Sequence, residues 1–183
     1  VIVPSFTFAA TANSVALTGA TPIFVDINPQ TFCIDPISIA KAITPKTKAI
    51  QVVHLYGLPA EMPAIMKLAK KHKLLVIEDA AQAHGASLNR RPVGTWGVAG
   101  SFSFYPTKNM TSGEGGMVTT NDPELAEKLR RFRSHGIIRL PENGAWYYEV
   151  AELGFNYRMT DIQAAVGIVQ LAKLDEMIIK RRK

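Results

Sequence analysis

The sequence predicts an α/β fold with a mostly parallel sheet and helices on both of its faces. Three observations carry this: apolar runs of strand length, helical patterns set between them, and capping residues where those helices begin. The strand-length runs fall at residues 22–27, 49–55, 74–78, 100–104 and 116–120. They are near-continuously apolar instead of alternating, the pattern of strands buried on both sides. Residues 11–17, closed by Gly19, form a short helix, and residues 36–43 form another. Over residues 62–72, Met62, Ile65, Met66 and Leu68 or Ala69 recur at helical spacing. Asp122-Pro123 starts a further helix: an N-cap oxygen, then a proline whose missing N–H costs nothing in the first turn. Thr160-Asp161-Ile162-Gln163 has capping-box spacing and opens the final helix.

Composition narrows the function. Of 183 residues, 47% are apolar and 20% charged, which excludes a disordered chain. No repeat or linker divides it, and its length suits one core. A single cysteine, Cys33, excludes a disulfide framework and any metal site built on several thiolates, so no metal is expected and a reducing compartment fits. No run approaches the roughly 18 apolar residues of a membrane span. The opening Val-Ile-Val-Pro lacks a charged leader, so the expected location is cytoplasmic. The net charge of +6 gathers partly at the end, where Lys173, Lys180, Arg181, Arg182 and Lys183 outnumber Asp175 and Glu176. A solvated terminal helix accounts for that excess, and no motif with interleaved aromatics supports nucleic-acid binding.

In parallel sheets, ligands collect at the carboxyl ends of the strands. Two such ends carry unusual residues. The first runs Val76-Ile77-Glu78-Asp79-Ala80-Ala81-Gln82-Ala83-His84-Gly85. A carboxylate there is partly desolvated and needs a cation or an N–H donor to stay ionised. Asp79 equally fits a simple turn cap, and His84 a structural histidine. The second end runs Ser101-Phe102-Ser103-Phe104-Tyr105-Pro106-Thr107-Lys108-Asn109, followed by Gly113-Glu114-Gly115-Gly116. A desolvated lysine becomes a nucleophilic amine toward carbonyls. Ser103, with nearby backbone N–H groups, suits a phosphate. A lysine amine, an acid at another strand end and a phosphate-sized hydroxyl site together suggest pyridoxal phosphate chemistry. Taken alone, Lys108 also fits a surface lysine in a glycine-rich turn.

These segments, together with Val3-Pro4-Ser5-Phe6-Thr7-Phe8 and Leu153-Gly154-Phe155-Asn156-Tyr157-Arg158-Met159, stand in one order over nearly the whole chain. In that order and spacing the chain resembles the DegT family of pyridoxal-phosphate-dependent nucleotide-sugar aminotransferases. The resemblance implies the aspartate-aminotransferase type of fold (fold type I) and a homodimer whose active sites draw on both subunits. It gives Lys108 the Schiff base with pyridoxal 5′-phosphate and the proton shuttle. It sets Asp79 on the pyridinium nitrogen, Gln82 on the phenolic oxygen and Ser103 on the phosphate. Phe8 matches the aromatic that stacks on the ring, although Phe6 and Phe8 share one side of an extended segment and Phe8 equally fits a core position. The Asn156 and Arg158 region reaches the neighbouring subunit's site in the family, Asn156 toward the cofactor and Arg158 toward an acidic substrate group. Arg158 equally fits a surface ion pair. Sugar dehydratases of the group replace the lysine with histidine, so Lys108 favours amino transfer, from glutamate or glutamine to a nucleotide-linked keto-sugar.

The family runs about twice this length. Residues 1–183 therefore correspond to the central part of the large domain, without the upstream glycine-threonine phosphate turn and the small C-terminal domain. A second expectation, of another class, is a non-catalytic remnant that folds or oligomerises without productive cofactor binding.

Overall fold

In chain order, β1 (Ile2–Pro4), α1 (Ala10–Leu17), β2 (Ile23–Val25), α2 (Pro36–Ala42), β3 (Ala49–Val53), α3 (Met62–His72) and β4 (Leu75–Asp79) alternate strand and helix. A short hairpin follows, β5 (Ser87–Leu88) and β6 (Arg91–Pro92), and then strands β7 (Ala99–Ser103) and β8 (Gly116–Thr119). The chain continues through α4 (Pro123–Phe132), a second hairpin of β9 (Ile137–Arg139) and β10 (Tyr148–Val150), then α5 (Asp161–Leu171) and α6 (Leu174–Arg181). This is a computed structural model and describes residues 1–182; Lys183, counted above in the basic terminal stretch, lies outside the described residues.

The central sheet has six strands in the order β2-β1-β3-β4-β7-β8. Every neighbouring pair is parallel except β7 and β8, which are antiparallel. Register pairs Ile2 with Ile50, Ile50 with Val76 and Val52 with Glu78, so these side chains share one face. Helices α2 and α3 cover that face, packing Ile39, Met62, Ile65 and Ala69 onto Ile2, Ile50, Val52 and Val76. Burying each of the larger side chains contributes about 1.5–3 kcal/mol. Helix α1 lies on the opposite face, its Thr11 reaching Asp79, while Leu75 and Ile77 on that face stay exposed.

The helix starts follow their caps. Asp35 accepts from the N–H groups of Ile37 and Ser38, and Asp122 from those of Glu124 and Leu125. Thr160 and Gln163 complete the capping box. The expected single final helix is two, because helical bonding stops at Ala172 and restarts after Lys173 with no glycine or proline to mark the break. The β5–β6 hairpin turns at Asn89 and Arg90, both with positive φ (52° and 64°). An Asn-Gly pair would have signalled that turn; Asn-Arg does not.

One buried acid ties these layers together. Glu78 is fully buried, and its carboxylate accepts four hydrogen bonds. His54 Nε2 (3.0 Å) and the Gly94 N–H (2.7 Å) meet one oxygen; the Trp96 and Gly97 N–H groups (both 2.7 Å) meet the other. His54 Nδ1 accepts from the Ala60 N–H at 3.1 Å, so the ring proton sits on Nε2 and donates to Glu78. Burial pushes the Glu78 pKa up, but the hydrogen bonds from His54, Gly97 and Gly94 outweigh it, and the net shift is downward. The turn that supplies these amides presses on the strands. A Cβ on Gly97 would collide with the Val76 carbonyl oxygen, and one on Gly100 with the Gly94 backbone.

Two expectations follow from this packing. Gly97→Ala should cost about 1–3 kcal/mol in urea unfolding, as overpacking does, and a neutral result would mean the turn yields freely. Because folded Glu78 titrates below its unfolded value of about 4.3, its contribution is whole above that pH and is lost as pH falls through the folded value. Glu78→Gln should therefore start less stable at neutral pH yet lose stability less steeply under acid. An acid limb as steep as that of the parent chain would contradict the assignment.

Candidate active site

Successive residues of a strand face opposite sides, so Asp79 emerges on the face away from Glu78. Asp79 pairs in register with Ser101, which places it on the same face as Ser101 and Ser103, at the carboxyl ends of β4 and β7. The turn-cap reading of Asp79 holds for one oxygen: Oδ1 accepts from the Ala81 N–H at 3.1 Å. The other, Oδ2, accepts a long bond of 3.4 Å from the Thr11 hydroxyl, which itself meets the Thr7 hydroxyl at 2.9 Å. Thr11 is buried in the first turn of α1, and its backbone N–H donates to the Phe8 carbonyl. The Thr7–Thr11–Asp79 chain thus brings the Phe8 segment to the end of β4. Phe8 itself is 75% exposed, so the core alternative for it does not hold in this chain.

Gln82 lies three residues beyond Asp79 and is partly buried. Its Oε1 accepts from the Tyr56 N–H at 2.7 Å, which commits the amide oxygen to the protein and leaves the NH2 group free to donate elsewhere. Tyr56 can present that N–H because it turns sharply, with a φ of 55° in the Leu55–Gly57 turn. Ser103 Oγ accepts from the Tyr105 N–H at 3.3 Å and keeps its own hydrogen available. Lys108 follows in the loop between β7 and β8, partly buried and without an ion pair among the described residues. The loop is pinned from within: Thr111 Oγ1 donates to the Phe104 carbonyl and Ser112 Oγ to the Glu114 carbonyl. From outside, Arg181 of α6 donates to the Asn109 carbonyl at 3.0 Å.

His84 is buried against Phe102 and Phe104, and neither ring nitrogen has a hydrogen-bond partner among the described residues. Burial lowers its pKa, and the nearby positive charge of Lys108 lowers it further. Its ring therefore stays uncharged at neutral pH.

Asn156 and Arg158 lie in the segment that ends at Met159, which packs beside Phe104, Met110 and Gly115 of the Lys108 loop. Residue 156 bridges to Ser134 in the region of the second hairpin, and both side chains are exposed. Arg158 makes no ion pair among the described residues, so the surface ion-pair alternative finds no support. Sequence reasoning missed Thr11, Tyr56 and His54. Thr11 and Tyr56 act on partners 68 and 26 residues away, and His54 on one 24 away, so no local pattern announces them. Among the described residues no cluster of His, Cys, Asp and Glu could hold a metal, and no helix is long and apolar enough to cross a membrane.

Comparison with known proteins identifies the family. The pattern of the DegT/DnrJ/EryC1/StrS aminotransferase family matches residues 1–183. GDP-perosamine synthase of Caulobacter vibrioides is 49% identical over 183 residues, covering 100% of this chain and 48% of that protein. Among solved structures, Helicobacter pylori PseC, an aminotransferase of pseudoaminic acid biosynthesis, superposes with a TM-score of 0.90 at 38% identity, over 95% of this chain and 46% of that one. The PMP-form of a sugar aminotransferase from Streptococcus pneumoniae, Spr1654, gives 0.93 at 30% identity, over 99% and 52%. The chain spans about half the length of these relatives. Its sheet is that of fold type I sugar aminotransferases, and the chain belongs to the DegT/DnrJ/EryC1/StrS aminotransferase family.

Proposed function

We propose that this chain is the central part of a large, cofactor-binding domain that uses pyridoxal 5′-phosphate to move an amino group from glutamate or glutamine to a nucleotide-linked keto-sugar. The observation that carries the reading is that two neighbouring strand ends bring together an acid, a free amide donor and a hydroxyl, with a lysine in the loop that leaves the second. The sugar class follows from the named relatives, which include a GDP-perosamine synthase.

The residues present fit the cofactor. Asp79 has acceptor capacity beyond its bonds to Ala81 and Thr11, enough for a protonated ring nitrogen. Gln82 turns its NH2 outward, the polarity a phenolic oxygen requires. When bound, the cofactor supplies an aldehyde that captures amines and a ring that takes up electron density from the carbon being deprotonated. Asp79 holds a proton on the ring nitrogen by its negative charge. Thr11 keeps that carboxylate turned outward, and the exposed Phe8 ring is free to stack. Ser103 donates to the phosphate. Lys108 Nζ is the covalent anchor and the base that takes a proton from the substrate carbon and returns it. Asn156 and Arg158, both exposed in one chain, serve the neighbouring site in a homodimer. There Asn156 contacts the cofactor and Arg158 an acidic group of the substrate.

Incubation with pyridoxal phosphate, borohydride reduction and peptide mass spectrometry test the assignment. The label is expected on Lys108 alone, and Lys108→Ala should abolish it with an unchanged circular dichroism spectrum. Labelling that persists in Lys108→Ala, or that scatters over other lysines, would overturn the role of Lys108. A folded chain that takes no label would favour the non-catalytic alternative. Where turnover of a nucleotide keto-sugar is measured, Lys108→Ala should lower it by about 10²–10⁴-fold, the usual worth of a positioned acid or base.

A further inference from the structure

Glu78 is held more firmly than its placement needs. A fully buried carboxylate loses its hydration, and an apolar side chain packed with Val52 and Val76 would serve stability as well or better. What an apolar side chain cannot do is gather three backbone N–H groups and one histidine at a single point. The three amides belong to the turn before β7, and Thr119 of β8 donates to the Gly94 carbonyl in that same turn at 2.7 Å. The histidine belongs to the end of β3. Its side chain holds Glu78, while its backbone N–H donates to the Asp79 carbonyl at 3.0 Å. It also opens the turn in which Tyr56 holds Gln82. On the β7 side, Ser101 Oγ donates to the Glu78 carbonyl at 3.3 Å, and the Ala80 N–H to the Ser101 carbonyl at 2.8 Å. The peptide units around Asp79 are therefore gripped from both neighbouring strands.

We infer that Glu78 is a positioning residue for the reaction: with His54 and the Gly94–Gly97 amides it clamps the end of β4, so that Asp79 leaves the opposite face at a set height beside Gln82 and Ser103. The inference rests on the cofactor role proposed for Asp79, but the clamp acts on Asp79 whether or not a cofactor is present. Glu78→Gln replaces one acceptor oxygen by an NH2 group facing two N–H donors, which opens the clamp without changing side-chain size. His54→Gln removes the ring and leaves Glu78 its three backbone donors, and it replaces Glu78→Gln if that variant does not fold. Ile50→Val, on the same sheet face but outside the clamp, controls for general loosening.

In the cofactor-free chain, the Asp79 carboxyl ¹³C resonance and the exchange rate of the Ala81 amide report directly on the Asp79 side chain. Both clamp variants are expected to move the resonance and to speed Ala81 exchange on the order of tenfold, with Ile50→Val changing neither. In the cofactor-loaded protein, the absorption spectrum of the bound pyridoxal phosphate should change in its pH dependence by roughly half a pH unit or more. An Asp79 resonance that stays in place while protection is lost only around residues 94–97 overturns the inference and makes Glu78 purely structural. If the resonance moves but the parent chain takes up no cofactor, the clamp stands and the cofactor reading fails.

Discussion

Two adjacent acids at the end of a β-strand cannot share an environment, because alternation sends one side chain to each face of the sheet. At Glu78 and Asp79 this separation organises the molecule. Glu78 enters the face covered by α2 and α3, where an ionised carboxylate survives only with a complete set of donors. The set comes from two places in sequence, the end of β3 and the turn before β7, whose glycines let it approach the strands closely. Satisfying one acid thereby fixes the relative positions of β3, β4 and β7. Asp79, on the other face, keeps acceptor capacity unspent. One acid is satisfied by the fold, and its neighbour remains available for chemistry.

The same division runs through the rest of the site. The backbone N–H of Tyr56 takes up the oxygen of Gln82 and leaves the donor end free. The Tyr105 N–H takes up a lone pair of Ser103 and leaves the hydroxyl hydrogen. Thr11 meets Asp79 through one long bond. In each case the protein satisfies the half of a polar group that faces inward and holds the other half in place. Such fixed dipoles cost no reorganisation when charge develops, which is why they act strongly in a site that excludes water.

Much of this was legible in the sequence and some was not, and the boundary follows the range of the interactions. The strands, the caps at Asp122 and Thr160 and the helix over residues 62–72 depend on neighbours a few residues apart. Asp79, Ser103 and Lys108 stood out because strand ends in a parallel sheet converge and because their residue types are costly to bury without purpose; Gln82 was reached only through the family resemblance. The partners of Glu78 lie 16 to 24 residues away, and neither alternation nor spacing can name them. Tyr56 escaped notice because its contribution is a backbone N–H, set by a positive φ that tyrosine rarely adopts. The break at Ala172 and Lys173 escaped because it carries no breaking residue.

His84 is a buried histidine beside the lysine loop. Its ring sits among Phe102, Phe104 and the loop that carries Lys108. A second positive charge there would compete with Lys108 for whatever anion the site attracts. Burial and Lys108 itself both oppose protonation, so at neutral pH the ring packs as an uncharged aromatic while Lys108 keeps its own electrostatic field. The ring nitrogens are left without partners, a local cost of about 1–3 kcal/mol for each unsatisfied group. A phenylalanine would avoid that cost, so packing alone does not account for a histidine at this position. What it retains is a polar edge beside the loop that holds Lys108.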